Sequence, residues 1–360
     1  MSKTLNDWKV KADPKTVIGK LKDELKDART EADISGQIRE WIGTAKLGIS
    51  ELDPPKWMTQ AKEAKSPGTP HLTLSDLHWG EHVDPKQMDG INSFNLAIAR
   101  RRLRTVVEST VALARVLDPQ MRYPGIICAL GGDMISGDIH EELARTNELE
   151  SIPTVLDLYK HLVPAIGLLA DAFGAVVLPC VTGNHDRNGK KIQAKNRHHT
   201  SYSWMLYQFL AERFAEDKRV TFYVPDGSDA RYRSYDLRYL LTHGDQFKAG
   251  DSIIGPIGPI LRGEQKKLAA RQAVGQDYDV MVFGHWHRRL LDSRLRGNAS
   301  LKGHDEWTMQ NNFKPEPPSQ NFWITHPDHG IIWDTPVYCE ARTKMSKTAW
   351  VSIPKKVTST

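Results

Sequence analysis

One apolar run that stops at a polar turn constrains this chain more than any other stretch. Ala175-Val176-Val177-Leu178-Pro179-Cys180 reads as a buried strand, short and β-branched. It gives way to Val181-Thr182-Gly183-Asn184-His185-Asp186-Arg187, so an amide, an imidazole and a carboxylate arrive together where a sheet ends. Open α/β sheets place their ligands at the carboxyl ends of strands. A single turn of this kind is a weak signal. Four further strand-like runs end in Asp or His, and that recurrence points to an α/β fold with converging strand ends.

The other runs follow the same plan. Leu72-Thr73-Leu74 ends at Ser75-Asp76-Leu77-His78, and Ile126 to Leu130 ends at Gly131-Gly132-Asp133. Arg238 to Leu241 ends at Thr242-His243-Gly244-Asp245, and Asp279 to Phe283 ends at Gly284-His285-Trp286-His287. A helix is expected from Ser93 to Leu117, with Ala99, Leu103, Val106, Thr110, Leu113 and Leu117 on one face. Arg100, Arg101, Arg102 and Arg104 lie mainly off that stripe and read as a solvated face, with a DNA-facing ridge as the alternative. Further helices are expected at Pro153 to Ala172 and Tyr202 to Phe214, and strands at Val220 to Val224 and Tyr232 to Tyr235. Leu162 to Val181 is apolar, but Pro164, Asp171 and Phe173-Gly174 divide it into a helix end, a turn and a strand rather than a membrane span.

Residues 1–66 differ from the rest. They are dense in Lys, Asp and Glu and close on the linker-like Lys65-Ser66-Pro67-Gly68-Thr69-Pro70. They read as a helical N-terminal extension or small accessory domain, ahead of a main domain at 67–345 and a tail at 346–360. Helix-turn-helix DNA binding by Ile34 to Leu47 is the alternative to a packed helical arm. The net charge of +5 permits a polyanionic partner without demanding one. Three cysteines without close spacing (Cys128, Cys180 and Cys339) argue for a reducing compartment. The first residues lack the apolar core of a signal peptide, and a cytoplasmic location is expected.

The five strand ends supply Asp76, His78, Asp133, Asn184, His185, His243, His285 and His287. Two residues one apart in a strand-end turn can aim at one point, which suits Asp-Leu-His and His-Trp-His. Mixed Asp, His and Asn ligands suit manganese, iron or zinc and argue against thiolate chemistry. Two such ions about 3.5–4 Å apart form a clamp for in-line displacement at phosphorus. Taken singly, each residue has a plainer reading: a solvent-facing His, an Asp capping a helix, an Asn shaping a turn. Five such coincidences in one chain are harder to accept than one site.

These motifs, Asp76-Leu77-His78, Gly132-Asp133, Gly183-Asn184-His185-Asp186, His243-Gly244 and Gly284-His285-Trp286-His287, resemble those of the calcineurin-like metallophosphoesterases, in order, from about Leu72 to Arg288. The resemblance implies a four-layer αββα metallophosphoesterase sandwich of mixed β-sheets. It implies one metal on Asp76, His78 and His287, another on Asn184, His243 and His285, and Asp133 bridging both. His185 would be the catalytic histidine. The chemistry agrees: a carboxylate has two oxygens and can span two ions, whereas an imidazole offers one lone pair. Manganese is the favoured metal, with iron, zinc or a mixed pair also suited. A hydroxide formed between the ions would attack phosphorus, with His185 assisting the leaving group. Asp186 would act from behind, orienting a ligand or fixing the loop.

The resemblance sets reaction type better than substrate. The run Asp133-Met134-Ile135-Ser136-Gly137-Asp138-Ile139-His140 lacks the Asp and Arg that protein phosphatases place there. The DNA-repair nucleases of the SbcD type share the core motifs, and His140 is either their displaced histidine or a surface residue. Three basic clusters favour a DNA exo- or endonuclease: Arg187, Lys190, Lys191, Lys195 and Arg197; Arg262, Lys266, Lys267 and Arg271; Arg288, Arg289, Arg294 and Arg296. Trp286 is a candidate stacking residue. The alternatives are a small nucleotide or cyclic nucleotide as substrate and, more remotely, a non-catalytic protein-binding scaffold. Neither a homodimer nor an ATPase partner can be read from the sequence.

Overall fold

A computed structural model describes residues 67–247 and 257–340. The chain divides into units 1–50 and 51–360, and every described residue belongs to the second. The expected helical extension (1–66) and the tail (346–360) lie outside the described residues.

In chain order the strands are β1 (Thr69–Leu74), β2 (Ile126–Leu130), β3 (Val176–Pro179), β4 (Val220–Tyr223), β5 (Asp229–Ser234), β6 (Leu237–Thr242), β7 (Val280–Phe283), β8 (Leu290–Leu291), β9 (Leu295–Gly297), β10 (Ser319–His326) and β11 (Gly330–Tyr338). The helices are α1 (Leu96–Leu117), α2 (Glu141–Thr146), α3 (Ser151–Phe173), α4 (Tyr202–Arg213), α5 (Ile257–Gln272) and α6 (Glu306–Gln310). One sheet has the order β11-β10-β1-β2-β3-β4 and the other β5-β6-β7-β9-β8. Strands β1 to β4 are parallel, as are β6, β7 and β9; the outer partners β10, β5 and β8 run antiparallel.

Inward-facing residues of both sheets share one core. Ala129 and Trp323 from the first sheet meet Ala230, Tyr239, Leu241, Val280 and Val282 from the second. Helices α1, α3 and α4 cover the outer face of the first sheet. Ile260 and Leu268 of α5 pack with Leu240, Met281 and Phe283 on the outer face of the second. The order of layers is therefore helix, sheet, sheet, helix, the αββα sandwich that the resemblance implied.

Local chemistry explains the element ends. Asn95 caps α1 by accepting from the Ile98 N–H, and Gly174 ends α3 in the left-handed region. Helix α3 runs through Pro164 and ends at Phe173, one residue past the expected Ala172. Its length and composition would suffice to cross a membrane, but Val155, Leu158, Leu162 and Leu169 are buried in the fold. Helix α5 was not foreseen, because Gly258 and Pro259 in its first turn read as part of a glycine-proline loop.

The arginine run on α1 also departs from expectation. Arg102 is fully buried rather than solvated, and its guanidinium donates to the carbonyls of Leu301 (3.0 Å) and Lys302 (2.6 Å) and pairs with Glu340. Arg100 pairs with Asp157 and Arg104 with Glu108. Arg101 pairs with Glu340, so all four arginines of the run have an acidic partner among the described residues.

Candidate metal centre

The carboxyl ends of β1, β2 and β3 in one sheet and of β6 and β7 in the other meet at one place. There, Asp76, His78 and His287 bring their ligand atoms within 4.8 Å of one another, and Asp133, His243 and His285 do the same. His78 Nε2 lies 2.9 Å from His287 Nε2, which is 3.6 Å from Asp76 Oδ1. Across the site, His243 Nε2 is 3.1 Å from both Asp133 Oδ2 and Asn184 Oδ1. Asp133 stands between the two groups, its Oδ2 also 4.0 Å from His78 Nε2.

Backbone geometry marks these positions as built rather than incidental. Asp76, His78, Asp133, His285 and His287 all have φ between 45° and 67°. Non-glycine residues rarely adopt that region, and each instance costs about 1–3 kcal/mol. The neighbouring chains are correspondingly close. A Cβ on Gly183 would fall 2.0 Å from Asp133 Oδ1, and one on Gly284 2.2 Å from Asp76 Oδ2. The glycines of the sequence motifs are there because two loops and a carboxylate share the space.

Two of the imidazoles are aimed by their second nitrogen. His243 Nδ1 faces the Gly131 carbonyl at 2.8 Å, so Nδ1 carries the proton and Nε2 faces the site. His185 Nδ1 faces the Ser136 carbonyl at 3.1 Å in the same manner. Burial would raise the Asp133 carboxyl, but His243, His185 and His78 around it hold it well below the carboxylate range. Burial pushes the Asp76 carboxyl up to about 7. For His243, burial works against protonation and is outweighed by Asp133, which lifts the imidazole to about 10. Burial lowers His78, His285 and His287, leaving neutral rings with lone pairs to give.

A divalent cation fits this donor set. Asp133 Oδ2 is buried without a well-formed hydrogen bond, with His243 Nε2 at 3.1 Å and His78 Nε2 at 4.0 Å beside it, and a carboxylate oxygen so placed costs free energy unless a cation sits among these atoms. Oxygen and imidazole donors in two converging groups, one carboxylate between them, are the ligand chemistry of manganese, iron or zinc.

The remaining expected residues fall into three groups. His185 lies against the centre, its ring 4.7 Å from that of His78 and its backbone N–H donating to Asp133 Oδ1 at 2.7 Å. His140 is exposed, with its ring 6.0 Å from His185. Asp186 is fully buried and accepts from the N–H groups of Asp133 (2.8 Å), Ile135 (3.2 Å) and Gly183 (2.9 Å), so it ties two site loops together. Trp286 is half-buried against the outer core cluster, so at least part of its indole belongs to the fold.

The basic clusters are largely engaged within the chain. Arg288 pairs with Glu316, Arg289 and Arg296 with Asp334, and Arg294 with Glu264. Lys267 and Arg271 both pair with Asp229. Arg197 pairs with Asp245, and Arg187 donates to the carbonyls of Asn184 and Lys190. Lys190, Lys191 and Lys195 are exposed, without an ion-pair partner among the described residues. Arg187, Lys191 and Arg197 line a small cleft that opens beside Asn184.

Sequence reasoning missed the groups behind the ligands. Glu81, Lys302 and Asp305 are buried and bonded in series behind His78. Ser75, Asn298 and Gln320 form a second buried set that holds Asp76. Apart from Ser75, next to Asp76, and Glu81, three residues from His78, they come from segments distant in sequence, and no local pattern marks them.

No protein-family model and no curated protein matches the sequence. Among solved structures, the chain is similar to a predicted phosphoesterase from Streptococcus pneumoniae, at 12% identity and a TM-score of 0.27, over 74% of this chain and 97% of that one. It is similar to Vps29 complexed with zinc from Entamoeba histolytica at 11% identity and a TM-score of 0.28, over 74% and 99%. Sulfate thiohydrolase SoxB from Thermus thermophilus, in complex with glycerol, overlaps at 10% identity and a TM-score of 0.30, over 77% and 58%. Overlaps this distant say nothing of activity, which has to be read from the side chains.

Proposed function

We propose that this chain is a metal-dependent phosphodiesterase that works with two divalent ions. One observation carries the reading: two converging ligand groups meet at Asp133, at the ends of five strands, with His185 against them. Asp76, His78 and His287 would hold one ion, and Asn184, His243 and His285 the other. Bound there, the ions supply a water acidic enough to ionise near neutral pH and a positive field for the phosphoryl oxygens.

The chain's own groups do the rest. Ser136 holds His185 by Nδ1, leaving Nε2 to deliver a proton to the departing ester oxygen. Asp186 keeps the Asp133 and Gly183 turns in register, so that the bridge and His185 keep their spacing. The basic cleft beside Asn184 would seat a neighbouring phosphate of a nucleotide chain.

DNA is the working substrate of this proposal, supported by that cleft and by the free Lys190, Lys191 and Lys195. A small nucleotide or cyclic nucleotide is the second reading, favoured by the internal pairing of the other basic clusters. Manganese-supplemented assays should compare single- and double-stranded DNA, a cyclic nucleotide, bis-p-nitrophenyl phosphate and p-nitrophenyl phosphate across a salt series. Diester cleavage with steep salt inhibition is expected for DNA; a flat salt profile selects the small substrate. Hydrolysis of the monoester alone would overturn the phosphodiesterase reading.

A further inference from the structure

Behind His78 lies a chain of buried charges that, among the described residues, has no counterpart behind His243. Glu81 Oε2 is 3.2 Å from His78 Nδ1, approaching obliquely to the ring N–H, and also accepts from Ser136 Oγ at 3.0 Å. Glu81 Oε1 accepts from Lys302 Nζ at 2.7 Å, and Lys302 Nζ donates to Asp305 Oδ2 at 2.5 Å. All three residues are at most 6% exposed. Two carboxylates and one ammonium leave an excess of negative charge pointing at the imidazole.

The loop bearing Lys302 is held from two sides. Arg102 donates to the Leu301 and Lys302 carbonyls, and Ser300 Oγ donates to the backbone carbonyl of Asp76 at 3.0 Å. The ligand Asp76 and the network behind His78 therefore share one rigid support. By contrast, the partner of His243 Nδ1 among the described residues is the neutral Gly131 carbonyl.

From this asymmetry we infer that Glu81, backed by Lys302 and Asp305, is a positioning residue that makes the Asp76, His78 and His287 seat the tighter of the two metal seats. A carboxylate behind a ligating histidine raises its basicity and locks its ring, typically worth about 10–100-fold in metal affinity. The inference rests on the two-metal reading above.

The test is calorimetric titration of metal-free full-length protein with Mn²⁺ alone. Wild type is expected to bind two ions in two resolved steps. Glu81→Gln keeps the shape and removes the charge; it should weaken the tighter step about 10–100-fold and move the weaker one by less than about twofold. Asn184→Ala should do the reverse. Ser136→Ala, which deletes one hydrogen bond to Glu81, should give a smaller loss in the same step and serves if Glu81→Gln does not fold. Equal losses in both steps, or none in either, would overturn the inference. Wild type that binds no manganese would overturn it together with the two-metal reading. Two-step binding without hydrolysis of any phosphoester would sink the enzymatic proposal alone.

Discussion

Strand β1 and the turn beyond it carry two histidines that are equally buried and do opposite things. His71, mid-strand, is stacked on Trp323 at 4.7 Å and bonded through Nε2 to Thr325 Oγ1 at 3.0 Å. It has ordinary strand geometry and faces the shared core of both sheets. His78, past the end of the same strand, sits at φ 45° among other imidazoles and two carboxylates. Burial does not separate them, since they are 0% and 1% exposed. What separates them is convergence. At mid-strand one polar ring meets one hydroxyl and aromatic faces, whereas at the strand end several imidazoles and carboxylates converge on a strained backbone. The first arrangement is the packing of one neutral ring; the second gathers charge in the interior and is costly unless something binds.

The contrast breaks most sharply at Asp133. Asp133→Ala should fold and lower diester hydrolysis by roughly three orders of magnitude or more, because both ions lose their common ligand. Metal content measured on the purified variant should fall with it. Full activity with full metal content would make the strand-end cluster no more functional than His71. Next in size is His185→Gln, for which kcat should drop about 10²–10⁴-fold with metal content unchanged. Loss of metal from that variant would move His185 into the ligand set.

Stability should change in opposite directions at the two places. Burial holds the Asp76 carboxyl near 7, above its unfolded value, so its stabilising contribution is present at low pH and lost as pH rises through about 7. Asp76→Asn removes that cost and tolerates the left-handed backbone, so metal-free protein at pH 8 should gain about 1–3 kcal/mol in thermal or urea melts. Activity should be lost at the same time. A destabilised Asn variant would mean that Asp76 is held by partners that need its charge.

These differences were only partly visible in the sequence. The strand ends and the eight polar residues on them were legible because each strand is a short apolar run and each glycine-bearing turn follows at once. The sandwich was legible for the same reason, but the antiparallel pairing of β10 with β1 was not. Pairing was not legible. Arg102, Lys302 and Glu81 look like surface charges in one dimension, and only their partners make burial affordable. The basic clusters failed in the opposite sense: Arg288, Arg289, Arg294 and Arg296 looked free and are matched by Glu316, Asp334 and Glu264. Charge can be counted along a chain, but neutralisation is a property of the fold.

The smallest effect isolates His71. Burial first, and Arg296 second, lower its imidazole to about 3, so the folded state keeps it neutral. An unfolded histidine takes up a proton near 6.5. The folded value is depressed, so the contribution is fully present above about 6.5 and is lost as pH falls from there towards about 3. His71→Phe removes the titration while keeping the stack on Trp323. It should cost about 1 kcal/mol at pH 8 through the lost bond to Thr325. It should also lose less stability than wild type between pH 7 and 4, and leave kcat unaltered. Urea midpoints across that range give the answer directly: parallel acid limbs for the two proteins would show that other groups govern the decline, and a fall in kcat would tie mid-strand to the metal centre after all.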